Sequence, residues 1–188
     1  MNKTIKISSK WANHLFNCNV EYITTTCNGR CCRGTGKIIV SLLPEEEITQ
    51  RNNGFDVVDG LLQADPDTKM CPHQLPSGLC NVHGTTLKPF GCIASPFTLN
   101  GNDTLIIRHR YIKFKCHGVG EPAYKTFRAS LDLIFGIEES QRICDLLDQG
   151  SDDFYAKISE DNYLKLKYLD GLKKEKPVGR TMNLSDYC

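Results

Sequence analysis

The run Cys27-Asn-Gly-Arg-Cys31-Cys32 constrains this chain more than any other stretch, because it crowds three thiols into one short segment. Glycine and polar neighbours give that segment the backbone freedom of a loop wrapped around a centre, not the character of an apolar core element. Thiolates gathered so closely repel one another unless a cation neutralises them, and a metal does so while lowering their pKa. Cys71, Cys80, Cys92 and Cys116 extend the pattern, each close to Pro, Gly or His in turn-forming surroundings. With 10 Cys in 188 residues, the thiols are too dense to be incidental and too sparse for a minimal disulfide scaffold.

The compartment decides what such thiols do. The opening MNKTIKISSKWANHLF has no apolar run ahead of a small-residue cleavage site, and no stretch approaches the roughly 18 apolar residues of a membrane span. The expectation is a cytoplasmic protein, in which clustered thiols serve as metal ligands or redox groups. Lys and Arg number 23 against 22 Asp and Glu, which removes the usual electrostatic argument for nucleic acid or a membrane surface as partner.

The adjacent pair Cys31-Cys32 bears on the choice of metal. Neighbouring α-carbons lie only ~3.8 Å apart and project their side chains differently, so joint ligation of one tetrahedral zinc is awkward. A polynuclear cluster, or two separate sites, accommodates the pair more easily. The chemistry therefore favours an iron-sulfur cluster of the 4Fe-4S kind, with zinc as the alternative. The expected ligands are Cys27, Cys31, Cys32, Cys71, Cys80, Cys92 and Cys116.

The chain reads as α+β: a loop-rich, metal-centred cysteine-cluster domain over residues 1–120 carrying a β-hairpin, followed by a helical extension over 121–188. Residues 37–43 have the character of a short buried strand. Pro44 followed by three glutamates starts a helix over 44–51. The Asn100-Gly101 turn between PFTL and TLIIRHRYIKF predicts the hairpin. Periodic apolar positions from Tyr124 to Leu147 predict helix, stopped at Gly150, and Ser151-Asp152-Asp153 and Ser159-Glu160-Asp161 each read as the cap of a further helix.

On these residues the sequence resembles the YkgJ-type cysteine-cluster family, the CxxCxxCC putative zinc- or iron-chelating domain. The resemblance covers Cys27 to about Cys116. It rests on the CxxxCC run at Cys27, Cys31 and Cys32, on Cys71, on Gly78-Leu79-Cys80 with Val82-His83, on Lys88-Pro89 through Cys92, and on Cys116. Ser95-Pro96-Phe97 stands near the family's usual Phe-Pro. The resemblance implies a metal centre, iron-sulfur in at least some members. It also points toward methyl transfer and toward a protein substrate or partner, since a longer relative by domain methylates protein lysines.

Other residues carry competing readings. His73, His83 and His117 each lie near a clustered Cys, as reserve ligands or as hydrogen-bonding neighbours. Arg108 and Arg110, with His109, Lys113 and Lys115, make the second hairpin strand basic: either a solvated, edge-protecting strand or a grip on an anionic cofactor or substrate. Arg30 and Arg33 add positive charge to the first loop. Cys18, Cys144 and Cys188 fall outside the cluster pattern, with Cys144 read as a buried apolar position. The leading function is an iron-sulfur enzyme, an oxidoreductase or methyltransferase, or a redox accessory acting on another macromolecule. The alternative is a non-catalytic zinc or iron module that docks a partner.

Overall fold

The computed structural model describes residues 2–32 and 40–174. Its centre is a four-stranded sheet built from β1 (Asn2–Ile7), β6 (Phe97–Leu99), β7 (Thr104–Ile107) and β9 (Phe154–Ser159), in the order β6-β7-β1-β9. The predicted hairpin is there: β6 and β7 pair antiparallel with Phe97 opposite Ile107, and the Asn100 side chain accepts the backbone N–H groups of Asn102 and Thr104 to close the turn. β1 runs parallel to β7 and antiparallel to β9.

Alternation decides which face is buried. Ile5 and Ile7 of β1 point inward while Lys6 between them does not, and Ala156 and Ile158 of β9 do the same between exposed neighbours. Helices α5 (Arg128–Phe135), α6 (Ile137–Asp148) and α7 (Glu160–Lys174) contribute Leu131, Ile134, Ile143, Leu147, Leu166 and Leu169 to the same apolar cluster. Trp11 lies within it, its ring 4.8 Å from that of Phe97 and its indole N–H donated to the Leu105 carbonyl. This core joins the first strand to the last helix and so runs across residue 120.

Two expectations need correction here. Ser151-Asp152-Asp153 does not cap a helix: residues 154–159 form β9, because their apolar positions recur every second residue and complete the sheet beside β1. Asp153 instead accepts from the Ser9 backbone N–H and hydroxyl and pairs with Lys6, clamping the two strands at one end. The hairpin's second strand also stops early. After Ile107 the chain curls into a 3₁₀ turn over His109–Lys113, with the Tyr111 N–H donated to the Arg108 carbonyl, because burying Tyr111 against Phe114 outweighs continued pairing. β7 is moreover an interior strand, so Arg108 and Arg110 protect no edge.

A smaller apolar cluster of Leu42, Val57, Leu62 and Cys71 supports a second layer. Around it lie β3 (Val40–Ser41), β4 (Val57–Val58) and β5 (Leu61–Leu62), a three-stranded sheet in the order β3-β5-β4. The α2 helix (Pro44–Asn52) matches the start expected at Pro44. Residues 37–39 of the predicted strand, with Arg33, lie outside the described residues, as does Cys188.

Candidate metal centre

The functional side chains arrive on loops held by short elements. Cys18 follows β2 (Leu15–Phe16), which pairs with β8 (Glu121–Pro122). Cys27 ends a π-helical turn that continues α1 (Val20–Tyr22), and Cys31 and Cys32 close a 3₁₀ turn. Cys71 and Cys80 sit on one loop, folded back so that Gln74 bridges Cys80. Cys92 lies in α3 (Phe90–Ile93).

Two devices fix these pieces against one another. The Gln74 side-chain amide donates to the carbonyls of Asn28 and Gly29, each at 3.0 Å, and to that of Gly78 at 3.3 Å. It thereby ties the Cys27 loop to the Cys80 loop where Gly29 and Gly78 cross in close contact. Glu46 does the equivalent for α3: one carboxylate oxygen accepts the Leu43 N–H at 2.8 Å and the other the Phe90 N–H at 2.6 Å. Burial raises the Glu46 pKa against the opposing pull of those two bonds.

All seven expected ligands line one cavity of ≈ 1170 Å³, with Arg108 and Arg110 on the same wall. Cys18, which the sequence pattern excluded, lines it too. Nothing in the local sequence marks Cys18; its place follows from the β2–β8 pairing that brings residue 17 against residue 116, where the Asn17 N–H donates to the Cys116 carbonyl at 3.0 Å. The thiols surround the space and do not meet at a point. Among the described residues no group of three or more His, Cys, Asp or Glu is close enough to hold a single ion.

The electrostatics of these thiols are dominated by burial. It pushes Cys92 and Cys116 up to about 12, Cys18 up to about 11, and raises Cys71 as well. Cys31 moves the other way, down to about 7, because the Cys32 thiol 3.9 Å away hydrogen-bonds to it and Arg110 lies nearby; Cys32 is raised in consequence. Ionising the raised thiols, Cys18, Cys32, Cys71, Cys92 and Cys116, is favoured by added positive charge, which is what a metal brings. On donor chemistry alone the residues fit a sulfur-preferring metal group.

Arg108 is half-buried, and its Nε is buried without a hydrogen-bond partner while a terminal nitrogen reaches the Ser95 hydroxyl at 3.3 Å. Burial lowers its pKa, opposed by Tyr111, Cys92 and Asp170. Burial also works against the Arg110 charge, but Tyr111, Cys31 and Cys92 more than offset it. The guanidinium pair thus faces thiols and one carboxylate across the cavity.

The histidines divide. His73 is buried and engaged by Gln50 Oε1 at 2.8 Å, with its ring against Phe55. His83 lies 2.7 Å from Lys88 Nζ, and His117 pairs with His14 at 2.9 Å. His73 and His83 line the cavity; Cys144 does not, and is buried between helices near Tyr124 and Arg128. Comparison with protein-family models, with curated proteins and with solved structures finds no match. Among the described residues no helix is long and apolar enough to cross a membrane.

Proposed function

We propose that the chain is an iron-sulfur protein of the cysteine-cluster kind, working as an enzyme or redox accessory on another macromolecule. One observation carries this reading: thiols drawn from positions 27 to 116 converge on one cavity together with two guanidiniums. Cys27, Cys31, Cys32, Cys71, Cys80, Cys92 and Cys116 supply the ligand set, whose bound group would supply redox or Lewis-acid chemistry. The cavity's volume exceeds the range of ordinary small-molecule sites, so a metal group leaves room for a cosubstrate. Arg108 and Arg110 are placed to hold that cosubstrate's carboxylate or phosphate, and the unpartnered Arg108 Nε is a donor in need of an acceptor. Methyl transfer is the reaction class that the resemblance to the YkgJ-type family suggests.

A second reading has its own support. Among the described residues the layer around β3, β4 and β5 has four buried residues beneath it, with Cys32, Val40 and Phe55 packed against them, so a zinc or iron bound there would add to a small core. The metal would then be structural, and the protein a partner-docking module.

Anaerobic purification with iron, zinc and acid-labile sulfide analysis separates the two. Labile sulfide is expected; tightly held zinc without sulfide would favour the module. Calorimetric titration of the metal-loaded protein with adenosyl-methionine tests the arginines. A guanidinium–carboxylate contact contributes about 1.5–3 kcal/mol, so Arg110→Gln should weaken binding by roughly one to two powers of ten at unchanged metal content. Absence of binding to the loaded wild type refutes the cosubstrate role tested.

A further inference from the structure

The eight thiols around the cavity sort into two sets by the elements that carry them. In the first, Cys18 and Cys116 lie on neighbouring backbone segments, joined by the Asn17 N–H to Cys116 carbonyl bond and by the Gly118 N–H to Leu15 carbonyl bond at 2.9 Å. The turn ending in Cys27 is tethered to the same place, because the Tyr22 hydroxyl donates to the Lys115 carbonyl at 2.9 Å, while the residues that follow Cys27 are held to the Cys80 loop by Gln74. Cys31 and Cys116 both pack against the large core. In the second set, Cys71 and Cys80 are held on one loop by Gln74, whose N–H donates to the Cys71 carbonyl at 2.9 Å and which bridges Cys80. Cys32 packs with Cys71 against the small core. Cys92 joins them on α3, which lies between the two cores: a Cβ on Gly91 would sit 3.3 Å from the Ser41 carbonyl oxygen of β3 and 3.3 Å from Leu169, and Phe90 and Ala94 belong to the large core.

We propose that the chain holds two separate four-thiolate metal centres, Cys18/Cys27/Cys31/Cys116 and Cys32/Cys71/Cys80/Cys92, with the adjacent Cys31 and Cys32 delivering one ligand to each. The proposal rests on the metal-binding reading above and adds Cys18 as an eighth ligand. Four thiolates complete a 4Fe-4S cluster, or a tetrahedral zinc once drawn closer together than the described side chains stand, so neither set needs a histidine. The Cys31 and Cys32 sulfurs, 3.9 Å apart, stand where the two sets meet.

The test counts metal per full-length chain after anaerobic purification or reconstitution. Native mass spectrometry of the wild type should show two centres: about eight iron with eight labile sulfide, or about two zinc. The pair Cys18→Ala/Cys116→Ala removes two ligands of one set and should halve the metal, as should Cys71→Ala/Cys92→Ala from the other. In the iron form the surviving centres of these two variants should give different paramagnetic spectra. Cys18→Ala alone should alter the spectrum of its own set and leave the other intact. One centre per wild-type chain, loss of all metal from either folded pair, or unchanged spectra in Cys18→Ala would each overturn the proposal while leaving metal binding standing. A wild type that takes up no metal overturns both, and because this count needs no variant, misfolding of a mutant does not shield the proposal.

Discussion

Gly78→Ala is the substitution that most directly probes how the cysteine loops are held. Gly78 has φ +86°, and a Cβ built there would lie 2.5 Å from the Asn28 carbonyl carbon and 2.8 Å from its Cα. Those are backbone atoms of the neighbouring cysteine loop, which cannot rotate aside. The left-handed conformation alone costs an L-residue about 1–2 kcal/mol. Forcing two packed segments apart adds about 1–3 kcal/mol. Gly54 supplies the control, since its φ is +82° and nothing lies within 4 Å of its Cβ position. Gly54→Ala therefore carries the conformational cost without the collision. The two variants should differ by about 1–3 kcal/mol, roughly 2–12 °C in Tm for a domain of this size. Thermal and urea denaturation of each protein, with metal content measured alongside, checks this. Gly78→Ala should lose metal as well as stability, and Gly54→Ala should keep its metal. Equal losses of Tm with full metal in both would refute the argument that the loop crossing positions the ligands.

Other perturbations follow from the same structure. Glu46→Ala removes charge-assisted bonds to Leu43 and Phe90, frees α3, and should cost about 2–3 kcal/mol with reduced metal content; Glu46→Gln, which keeps an acceptor, should recover part of both in the same urea and metal assays. The Asp153 carboxyl is held down to about 2 by the Ser9 backbone N–H first, then by Lys6 and the Ser9 hydroxyl. Its contribution is therefore present above the ordinary carboxylate range and lost as pH falls from about 4 toward 2. Being 36% exposed, the side chain contributes only about 1 kcal/mol after screening, so Asp153→Asn should lower urea midpoints at pH 6 and have little effect at pH 2. Cys144→Ala should leave metal content unchanged by elemental analysis, because Cys144 belongs to the helical core and not to the cavity wall.

The legible parts of this fold were those written locally. Pro44 with three glutamates behind it and Asn100-Gly101 between apolar runs each encode their element within a few residues, and the apolar periodicity from Tyr124 to Leu147 encodes helix, although the single expected run is broken near Phe127 and again at Gly136, where φ is +82°. β9 was misread because Ser151-Asp152-Asp153 has capping chemistry, whereas the strand that follows is specified by a partner, β1, at the other end of the chain. The curl after Ile107 had the same origin. Its basic residues alternate as a strand would, and only the burial of Tyr111 against the distant core bends them into a turn.

Cys18 shows the limit for the site. Spacing identifies ligands that share a loop, but Cys18 reaches the others through a two-residue strand pairing with β8, a contact with no local signature. The adjacent pair Cys31-Cys32 held the clue in the sequence, since it admits either one large centre or two. The structure places Cys31 against the large core and Cys32 against the small one. The cavity lining draws on both, with Phe127 and Leu169 from the large core and Val40 and Leu62 from the small one. A ligand group spanning that space would bind the two packed layers together, and the peptide between Cys31 and Cys32 is the seam at which they meet. Loss of metal should therefore loosen the layer with the smaller core first, since among the described residues its buried cluster is much smaller than the one beneath the four-stranded sheet. Hydrogen exchange of loaded and stripped protein reads this directly: protection should fall over residues 57–88 while the sheet amides of β1 and β9 keep theirs.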